Sequence, residues 1–299
     1  MISVAMATYN GKRYIKEQLD SIINQTQLPD EIVIRDDCSK DGTFEFLINY
    51  SKNYTNIKWN IKQNQSNLGY KKNFYNAIVA CHGDYIFLCD QDDIWIKDKI
   101  EVMMVQMLKS NSLLLMSNLK SFYQNGCKNR VKEERLGLKK IKKSFNLNHC
   151  VNTPRPGCSF CISKELVDLY KKNIDFTIPH DNLLWHIASL QGRVCHLNRV
   201  TMKYRRHDLN ASNNKKNCKD KRLEAIQEQI RNIDYLLNIS EKSEERKFFL
   251  KQKIAFESRM KNLEEKNIIK LILSIKNIKY YYTLRLYFVD IYYSLRGEI

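Results

Sequence analysis

The chain has 299 residues, of which 43% are hydrophobic, so it can bury the core of one large domain with an appendage, or of two domains. Its 50 Lys and Arg against 33 Asp and Glu give a net charge of +17. This excess favours a polyanionic partner, namely nucleic acid, an anionic membrane surface or a phosphorylated substrate, unless it reflects only a Lys- and Asn-rich composition. No uncharged run reaches the roughly 18 residues of a membrane-spanning helix. The apolar start of the chain is too short for a signal peptide.

The nine cysteines argue against both a disulfide framework and a zinc site. Their number is odd, which does not suit a fully paired set. One C-x-x-C pair occurs, Cys158 with Cys161, but a structural zinc site needs a second pair at suitable spacing. We therefore expect reduced, mostly buried cysteines and a cytoplasmic compartment.

The predicted elements alternate between strand and helix in the first part of the chain. Periodicity predicts strands at residues 2–6, 31–35, 56–61 and 85–89, with helices at 14–23, 44–50 and 72–81 between them. Beyond these it predicts a helix at 97–109, a strand at 112–117, a surface loop at 123–143, a strand at 158–162, a helix at 183–190 and strands at 194–197 and 200–204. This alternation predicts an α/β fold with a Rossmann-like, mainly parallel sheet flanked by helices.

The polar stretch NNKKNCKDKR at 213–222 is the best candidate for a domain boundary. We expect one domain at 1–212 and a helical C-terminal region at 213–299. Between 266 and 296, lysine and arginine are mixed with isoleucine, leucine and tyrosine. That mixture suits a helix lying on an anionic membrane surface, and it equally suits a helix that packs on the first domain or on a second copy of the chain.

The strand predicted at 85–89, in the stretch YIFLCDQDDIW, ends in three carboxylates: Asp90, Asp92 and Asp93. Carboxylates gathered in this way repel each other unless a cation lies between them. Oxygen ligands favour Mg²⁺ or Mn²⁺, which commonly completes its shell with substrate phosphates. The alternative is an acidic turn that caps the next helix.

Polar clusters also follow the first and second predicted strands, as TYN and RDD. In an open α/β sheet, ligands bind outside the carboxyl ends of the strands. The three clusters are therefore expected to converge on one edge of the sheet.

Seven stretches in order resemble the inverting glycosyltransferases of family 2, which have the GT-A fold. They are ISVAMATYNG, EIVIRDDCSKDGT, NLGYKKNFYNAI, GDYIFLCDQDDIW, PGCSFCIS, PHDNLLW and YRRHDLNAS, and they reach to about residue 212. The DXD-containing stretch DQDDIW is similar to the subgroup that assembles bacterial surface polysaccharides, many members of which transfer rhamnose. The resemblance makes 1–212 the catalytic domain.

The resemblance implies a nucleotide-sugar site along the strand ends. Its residues are Thr8, Tyr9, Asn10, Asp36, Asn67, Gly69, Asp90 and Arg206. Asp36 would accept the N–H of a pyrimidine base, which suits an acceptor-only group. Asp90 would contact the ribose and assist the cation. Taken alone, the segments 8–10 and 67–69 fit ordinary turns and helix caps equally well.

The resemblance also assigns the metal ligand and the general base. Asp92 is the direct ligand of Mg²⁺ or Mn²⁺, and His207 binds the cation or the diphosphate together with Arg206. Asp181 is the base that takes the proton of the acceptor hydroxyl. His180 stands where many family members have Glu, and it would tune Asp181, contact the acceptor, or act only as a cap or surface residue.

The remaining acceptor-side residues are Asp93, Trp95 and Gly157. Asp93 would support the site or hold the acceptor, or else cap a helix. Trp95 would stack on a sugar or seal the core at the start of the next helix. Gly157 would allow a close approach near the acceptor, or only mark the start of a strand.

The resemblance thus implies an inverting, metal-dependent glycosyltransferase. It would move a sugar, rhamnose being one candidate, from a nucleotide-diphospho-sugar to a growing cell-surface polysaccharide or lipid-linked glycan. It would be a cytoplasmic protein, peripheral on the cytoplasmic face of the cell membrane, and it could also form a homo-oligomer. The alternatives are a metal-dependent nucleotidyltransferase, for which TYNGKRY is a poor phosphate-binding loop, and a basic nucleic-acid-binding protein.

Overall fold

The structure, a computed structural model, describes residues 1–123, 146–206, 218–281 and 284–295. The chain divides into two units: Met1–Ser144 with Pro154–Asn210, and Phe145–Thr153 with Ala211–Ile299. The expected boundary at 212/213 assigned 145–153 to the first domain, whereas these residues belong to the second unit. The expected surface loop at 123–143 lies almost entirely outside the described residues.

The first unit is built on one sheet of eight strands. They are β1 Ile2–Thr8, β2 Glu31–Asp36, β3 Lys58–Gln63, β4 Tyr85–Cys89, β5 Ile94–Trp95, β6 Leu114–Tyr123, β7 Phe160–Ser163 and β8 Val194–Arg206. Their order across the sheet is β3-β2-β1-β4-β7-β6-β8-β5. The β1–β2, β1–β4, β2–β3 and β6–β8 pairs are parallel. The pairs β4–β7, β6–β7 and β5–β8 are antiparallel. This confirms the expected mainly parallel α/β sheet.

Six helices connect these strands. They are α1 Lys12–Ile23, α2 Thr43–Ser51, α3 Tyr70–Val79, α4 Lys99–Ser110, α5 Lys164–Lys172 and α6 His180–Leu190. Helix α1 shows why they form, because Ile15, Leu19 and Ile22 recur at helical spacing and are all fully buried against the sheet. Strands β1, β2 and β4 are also largely apolar and buried, as expected of strands covered on both faces, whereas β3 is polar and partly exposed.

Strand direction brings distant segments to one edge of the sheet. Because β1, β2 and β4 run parallel, the residues that follow them lie at the same edge. Strand β7 is antiparallel to β4, so the 3-10 turn Gly157–Ser159 that precedes it also lies there. Strand β8 runs parallel to β6 and hence to β4, and its last residues, 204–206, reach the same edge.

Four elements differ from expectation. Residues 194–204 form one long strand, β8, whose partner register shifts at Ser117 and Asn118 of β6, instead of two short strands. The two-residue strand β5 and the helix α5 are not predicted by periodicity, since β5 is too short to show any. Strand β6 runs on to Tyr123, six residues beyond the predicted end at 117, because β8 supplies a partner for each added residue.

The second unit is helical, as expected. Its elements are α7 Cys218–Ile239, α8 Ser243–Glu264, α9 Ile268–Leu273, a 3-10 helix Ser274–Tyr280, α10 Leu284–Leu295 and a 3-10 turn Leu147–His149. Asn232 donates to the carbonyl of Val151 and Asn148 to that of Lys279, which ties the segment 145–153 into this unit. Among the described helices, none combines the length and apolarity needed to cross a membrane.

Candidate active site

Asp36, at the end of β2, braces the edge of the sheet. Its carboxylate accepts bonds from the hydroxyls of Thr8 (2.8 Å) and Ser39 (2.6 Å), the Ser39 N–H (3.0 Å) and the Gln63 amide (2.9 Å). The residue is fully buried. A carboxylate offers about four acceptor positions, so the protein's own donors use them in this conformation. This geometry favours bracing over the predicted contact with a base N–H.

Asp37 holds the loop that contains Asn67 and Gly69. Its oxygens accept the backbone N–H of Leu68 at 2.8 Å and of Gly69 at 2.9 Å, and the Asn64 amide at 2.8 Å. Gly69 has φ +79° and ψ 153°, a conformation that is essentially restricted to glycine. A Cβ there would meet no atom within 4 Å. Asn67 and Gly69 thus border open space beside Asp37.

The turn after β1 is tied to the turn after β4 by Gln91. Its side-chain oxygen accepts the Tyr9 N–H at 2.8 Å, and its amide nitrogen donates to the Tyr9 carbonyl at 3.0 Å. Asn10 has the left-handed φ of 47° and accepts the Lys40 N–H at 2.9 Å. The Tyr9 side chain is exposed. The predicted nucleotide-side turn therefore has its backbone fixed and one aromatic ring free to meet a ligand.

The acidic end of β4 forms a second cluster with very different surroundings. One carboxylate oxygen each of Asp90 and Asp93 and the Cys158 sulfur lie within 4.8 Å of one another. Asp93 is buried, and its Oδ2 has no hydrogen-bond partner among the described residues. Asp92 is half-buried beside this group. Mutual repulsion with little neutralisation by donors is the arrangement predicted for a cation site.

Burial and mutual repulsion shift the protonation of this cluster. Burial, with the carboxylates of Asp92 and Asp181 beside it, raises the pKa of Asp90 to about 7. Burial and then Asp90 and Asp92 raise the pKa of Asp93 well above its usual range. Burial also raises the pKa of the Cys158 thiol, so Cys158 can donate to the carboxylates. These directions describe the cation-free protein, and a bound cation would reverse them for the carboxylates.

Asp181 belongs to the same constellation. It lies in the first turn of α6, half-buried, and its Oδ1 accepts the N–H of Asn182 at 2.9 Å. Its charge contributes to the raised pKa of Asp90. The sheet edge therefore brings Asp181 within electrostatic range of an acid that lies 91 positions earlier in the chain.

Gly157 and His180 pack directly against each other. A Cβ at Gly157 would lie 3.0 Å from Nε2 of His180 and 3.1 Å from Cβ of Asp181. The His180 ring is buried and stacks on Phe74 with centroids 4.0 Å apart. Burial lowers the pKa of His180, which favours the neutral ring. The close approach predicted at Gly157 is therefore made to the helix that carries Asp181, and His180 acts as a packed support.

Two arginines at the end of β8 have separate surroundings. Arg205 donates from its N–H to Asp93 Oδ1 at 3.0 Å and from Nε to the Asp92 carbonyl at 2.7 Å, so it fixes the acidic segment. Arg206 lies over Tyr204, with 4.7 Å from the guanidinium carbon to the ring centroid. Burial and the charges of Cys158, Asp90 and Asp93 raise the pKa of Tyr204, which puts this strand end beside the cluster. His207, the predicted second metal contact, lies outside the described residues.

Trp95 and Lys99 form the floor under the acidic cluster. Trp95 is 3% exposed and packs on Phe87, which favours the core role over stacking on a sugar. Lys99 is fully buried, with Nζ 2.9 Å from the Cys158 carbonyl and 4.3 Å from the Trp95 ring centroid. Burial lowers its pKa, opposed by Cys158, Cys89 and Asp93. An internal cation thus lies beneath the acids.

Sequence reasoning missed four residues of this site: Gln91, Lys99, Cys158 and the bracing role of Arg205. For Gln91 the available signal was its position between Asp90 and Asp92, because its side chain has to point away from theirs. For Lys99 the sequence held none, because lysine is rarely fully buried. Burial of Cys158 was expected, but its position beside the acids depends on the pairing of β7 with β4.

Comparisons with known proteins identify the family of the chain. The model of Glycosyl transferase family 2 matches residues 3–170. The chain belongs to glycosyltransferase family 2. The dTDP-rhamnosyl transferase RfbG of Shigella flexneri is 33% identical over 217 residues, 69% of this chain and 72% of RfbG. The glucosyltransferase WfgD of Escherichia coli is 24% identical over 246 residues, 80% of this chain and 91% of WfgD.

Solved structures identify the fold. The crystal structure of Staphylococcus aureus TarS 1-349 in complex with UDP-GlcNAc matches with a TM-score of 0.64 and 19% identity, over 99% of this chain and 87% of that one. The expected GT-A fold is thereby confirmed, as is the resemblance to bacterial polysaccharide glycosyltransferases. Family membership decides against the nucleotidyltransferase and nucleic-acid-binding alternatives.

Proposed function

We propose that this glycosyltransferase moves a sugar, with inversion, from a nucleotide-diphospho-sugar to a hydroxyl of a growing cell-surface glycan. The observation that carries the proposal is the convergence of Asp90, Asp92 and Asp93 from β4 with Asp181 from α6 at the carboxyl edge of the sheet. Family 2 membership sets the reaction class. The name of RfbG, a dTDP-rhamnosyl transferase, makes dTDP-rhamnose the first donor to try.

The acidic cluster fits a divalent cation, Mg²⁺ or Mn²⁺. Asp92 would be the direct ligand and Asp90 its neighbour, and the unpartnered Oδ2 of Asp93 offers a further oxygen. The set is rich in oxygen, as these cations require, with the Cys158 thiol at its buried side. When bound, the cation supplies positive charge to the diphosphate as its bond to the sugar breaks. Arg206, beside the cluster, would bind the same leaving group.

Asp181 would act as the general base. In an inverting displacement the acceptor oxygen attacks the anomeric carbon while the bond to the diphosphate breaks, and the acceptor proton passes to the carboxylate. Asp181 is suited to this by its position, at the start of a helix, half-buried and facing the acidic end of β4. His180 and Gly157 hold that helix start, so their part is to position Asp181.

We also propose a setting for the enzyme. We assign catalysis to the first unit and acceptor or surface contacts to the second unit. The name of WfgD describes transfer to a sugar on diphosphoundecaprenol, so a lipid-linked glycan is the acceptor class we propose. An enzyme using such an acceptor would work as a peripheral protein on the cytoplasmic face of the cell membrane.

A donor screen tests the proposal. The full chain is incubated with Mn²⁺ or Mg²⁺ and single nucleotide sugars, starting with dTDP-rhamnose, and release of the nucleoside diphosphate is followed. We expect release from one donor, abolished by Asp92→Asn and unchanged by Asp168→Asn, an exposed carboxylate on α5. Release that survives Asp92→Asn in full would refute the assignment of the cation site.

A further inference from the structure

The outward surface of the last helices carries large apolar side chains. We define this outer face by Ile269 and Leu273 on α9, Ile275 on the 3-10 helix, and Leu284, Phe288 and Leu295 on α10. Ile269 is 72% exposed, and Leu273 and Phe288 are each 62% exposed. Leu284, Phe288 and Leu295 follow helical spacing, so they share one side of α10. Scattered exposed apolar residues are normal, whereas such a group within some thirty residues marks an interaction site.

The same elements have a second, inward apolar side that is already packed. Leu271, Tyr280, Tyr281 and Tyr287 are buried within this unit. The Tyr287 hydroxyl donates to the Ile272 carbonyl at 2.8 Å and joins α10 to α9. The core of the unit is therefore satisfied by one side of these helices, and the outer face is additional.

The charges around the outer face are mainly positive, although the exposed acids Glu264 and Glu265 lie just before it and Glu265 is 3.4 Å from Lys270. Its exposed cations are Lys266, Lys270, Lys276, Lys279 and Arg285. The one acid among the described residues of 266–295 is Asp290, which is 2% exposed and bound by Arg222 and Arg259. What this face presents to a partner is therefore apolar and cationic.

We propose that the outer face docks on an anionic lipid bilayer. The aliphatic side chains and Phe288 would enter the boundary between headgroups and acyl chains, while the lysines contact lipid phosphates. This inference rests on the membrane setting of the proposed function and deepens it by naming the docking residues and the lipid charge. The surface lies in the second unit, so the inference does not depend on the chemistry of the first unit.

The charge pattern disfavours the other occupants. A second copy docked through the same face would bring lysines mostly against lysines, because the exposed acids at its border are Glu264 and Glu265, and Glu265 already pairs with Lys270 and Lys261. Nucleic acid would satisfy the lysines, but it offers no apolar environment for exposed isoleucine and leucine side chains. A bilayer with anionic headgroups meets both requirements.

The test is sedimentation of the full chain with sucrose-loaded vesicles of phosphatidylcholine alone or with about 30% phosphatidylglycerol. We expect binding to the anionic vesicles only, weakened when salt rises from about 50 mM to about 500 mM. Ile269→Ser with Leu273→Ser should lower affinity about tenfold or more. Lys270→Gln with Lys276→Gln should lower it about 25-fold, at about fivefold per charge.

Matched controls separate the outcomes. Val105→Ser with Leu108→Ser removes two equally exposed apolar side chains from α4 of the first unit and should leave binding unchanged. Circular dichroism verifies that every variant is folded. Equal binding to both vesicle types, or equal loss in the control, would overturn the proposal. So would a dimer that Ile269→Ser with Leu273→Ser dissociates without any vesicle binding by the wild type. Asp92→Asn should keep vesicle binding while losing transfer, so the two proposals fail separately.

Discussion

Two acidic pairs lie at the ends of β2 and β4, the two strands that flank β1, and their surroundings are opposite. Asp36 and Asp37, after β2, accept hydrogen bonds from Thr8, Ser39 and the backbone of the 64–69 loop. Asp90 and Asp93, after β4, face each other, a thiol and the charge of Asp181, and Asp93 keeps one buried oxygen without a partner. The first pair is held by hydrogen-bond donors and the second is dominated by burial and repulsion, a distinction that residue type alone cannot make.

The largest effect is expected after β4, where few hydrogen-bond donors surround the carboxylates. Asp181→Asn removes the proposed base but keeps the size of the side chain, so transfer should fall about a hundredfold to ten-thousandfold. Binding of the nucleotide sugar, measured by calorimetry, should change little, because we propose that Asp181 acts on the acceptor. The exposed Asp168→Asn on α5 serves as control. Transfer by Asp181→Asn at the wild-type rate would remove Asp181 from the mechanism.

At the end of β2, where hydrogen-bond donors surround the carboxylates, a substitution should lower the free energy of unfolding instead. Asp36→Asn replaces an acceptor of four hydrogen bonds with a group that must itself donate, and leaves buried hydroxyl and amide donors unsatisfied. We expect a loss of about 2–4 kcal/mol in the free energy of unfolding of the first unit, measured by urea denaturation. Asp90→Asn, by contrast, should stabilise the cation-free protein because it removes repulsion. If both substitutions destabilise alike, the contrast between the pairs fails.

Gly157→Ala tests the contact between Gly157 and the start of α6, and its expected effect is intermediate in size. The new methyl group would lie 3.0 Å from His180 Nε2 and 3.1 Å from Asp181 Cβ, so the start of α6 must shift. We expect kcat to fall about tenfold with KM for the donor unchanged, since a small misplacement of a catalytic group lowers the rate. Gly192→Ala, which has φ +65° and open space around it, reports on backbone strain away from the site. An unchanged kcat in Gly157→Ala would show that the contact is slack.

The smallest effect is a dependence on pH. The pKa of Asp90 is about 7 in the fold against an ordinary value of 3.8, so the folded state favours the protonated form. Ionisation therefore lowers the stability of the cation-free protein as pH rises from about 4 to about 7, by about 1 kcal/mol after allowance for partial exposure. Mn²⁺ should raise the melting temperature more at pH 8 than at pH 5.5. An equal rise at both pH values, or none in either, would argue against a cation held by Asp90.

The sequence predicted most of the first unit because its strands are apolar runs with polar ends, and the local pattern alone carries that information. It also named Asp36, Asp90, Asp93 and Asp181, because the first three follow a predicted strand and Asp181 comes just before a predicted helix. What it could not give was the partner of each side chain. Asp36 looks like a ligand contact until Gln63 and Ser39 are seen to use its oxygens. Trp95 looks like a sugar platform until β5 pairs with β8 and turns it inward.

Long-range pairing also explains the misplaced boundary of the units. The segment 145–153 lies between α/β elements in the sequence, so it reads as part of the first domain. Asn232 and Gln252, far along the chain, hold it through Val151 and Asn148. Contacts across that sequence distance leave no local periodicity to detect.

Gln91 has a consequence for engineering. Its side chain lies between Asp90 and Asp92 in sequence, yet it grips the main chain of Tyr9 from both sides. Gln91 therefore joins the segment proposed to contact the nucleoside to the segment proposed to contact the diphosphate. Exchange of sugar-donor preference between relatives should succeed when the segments 8–10 and 90–93 are transferred together. Transfer of either segment alone should strongly reduce the activity of the recipient enzyme.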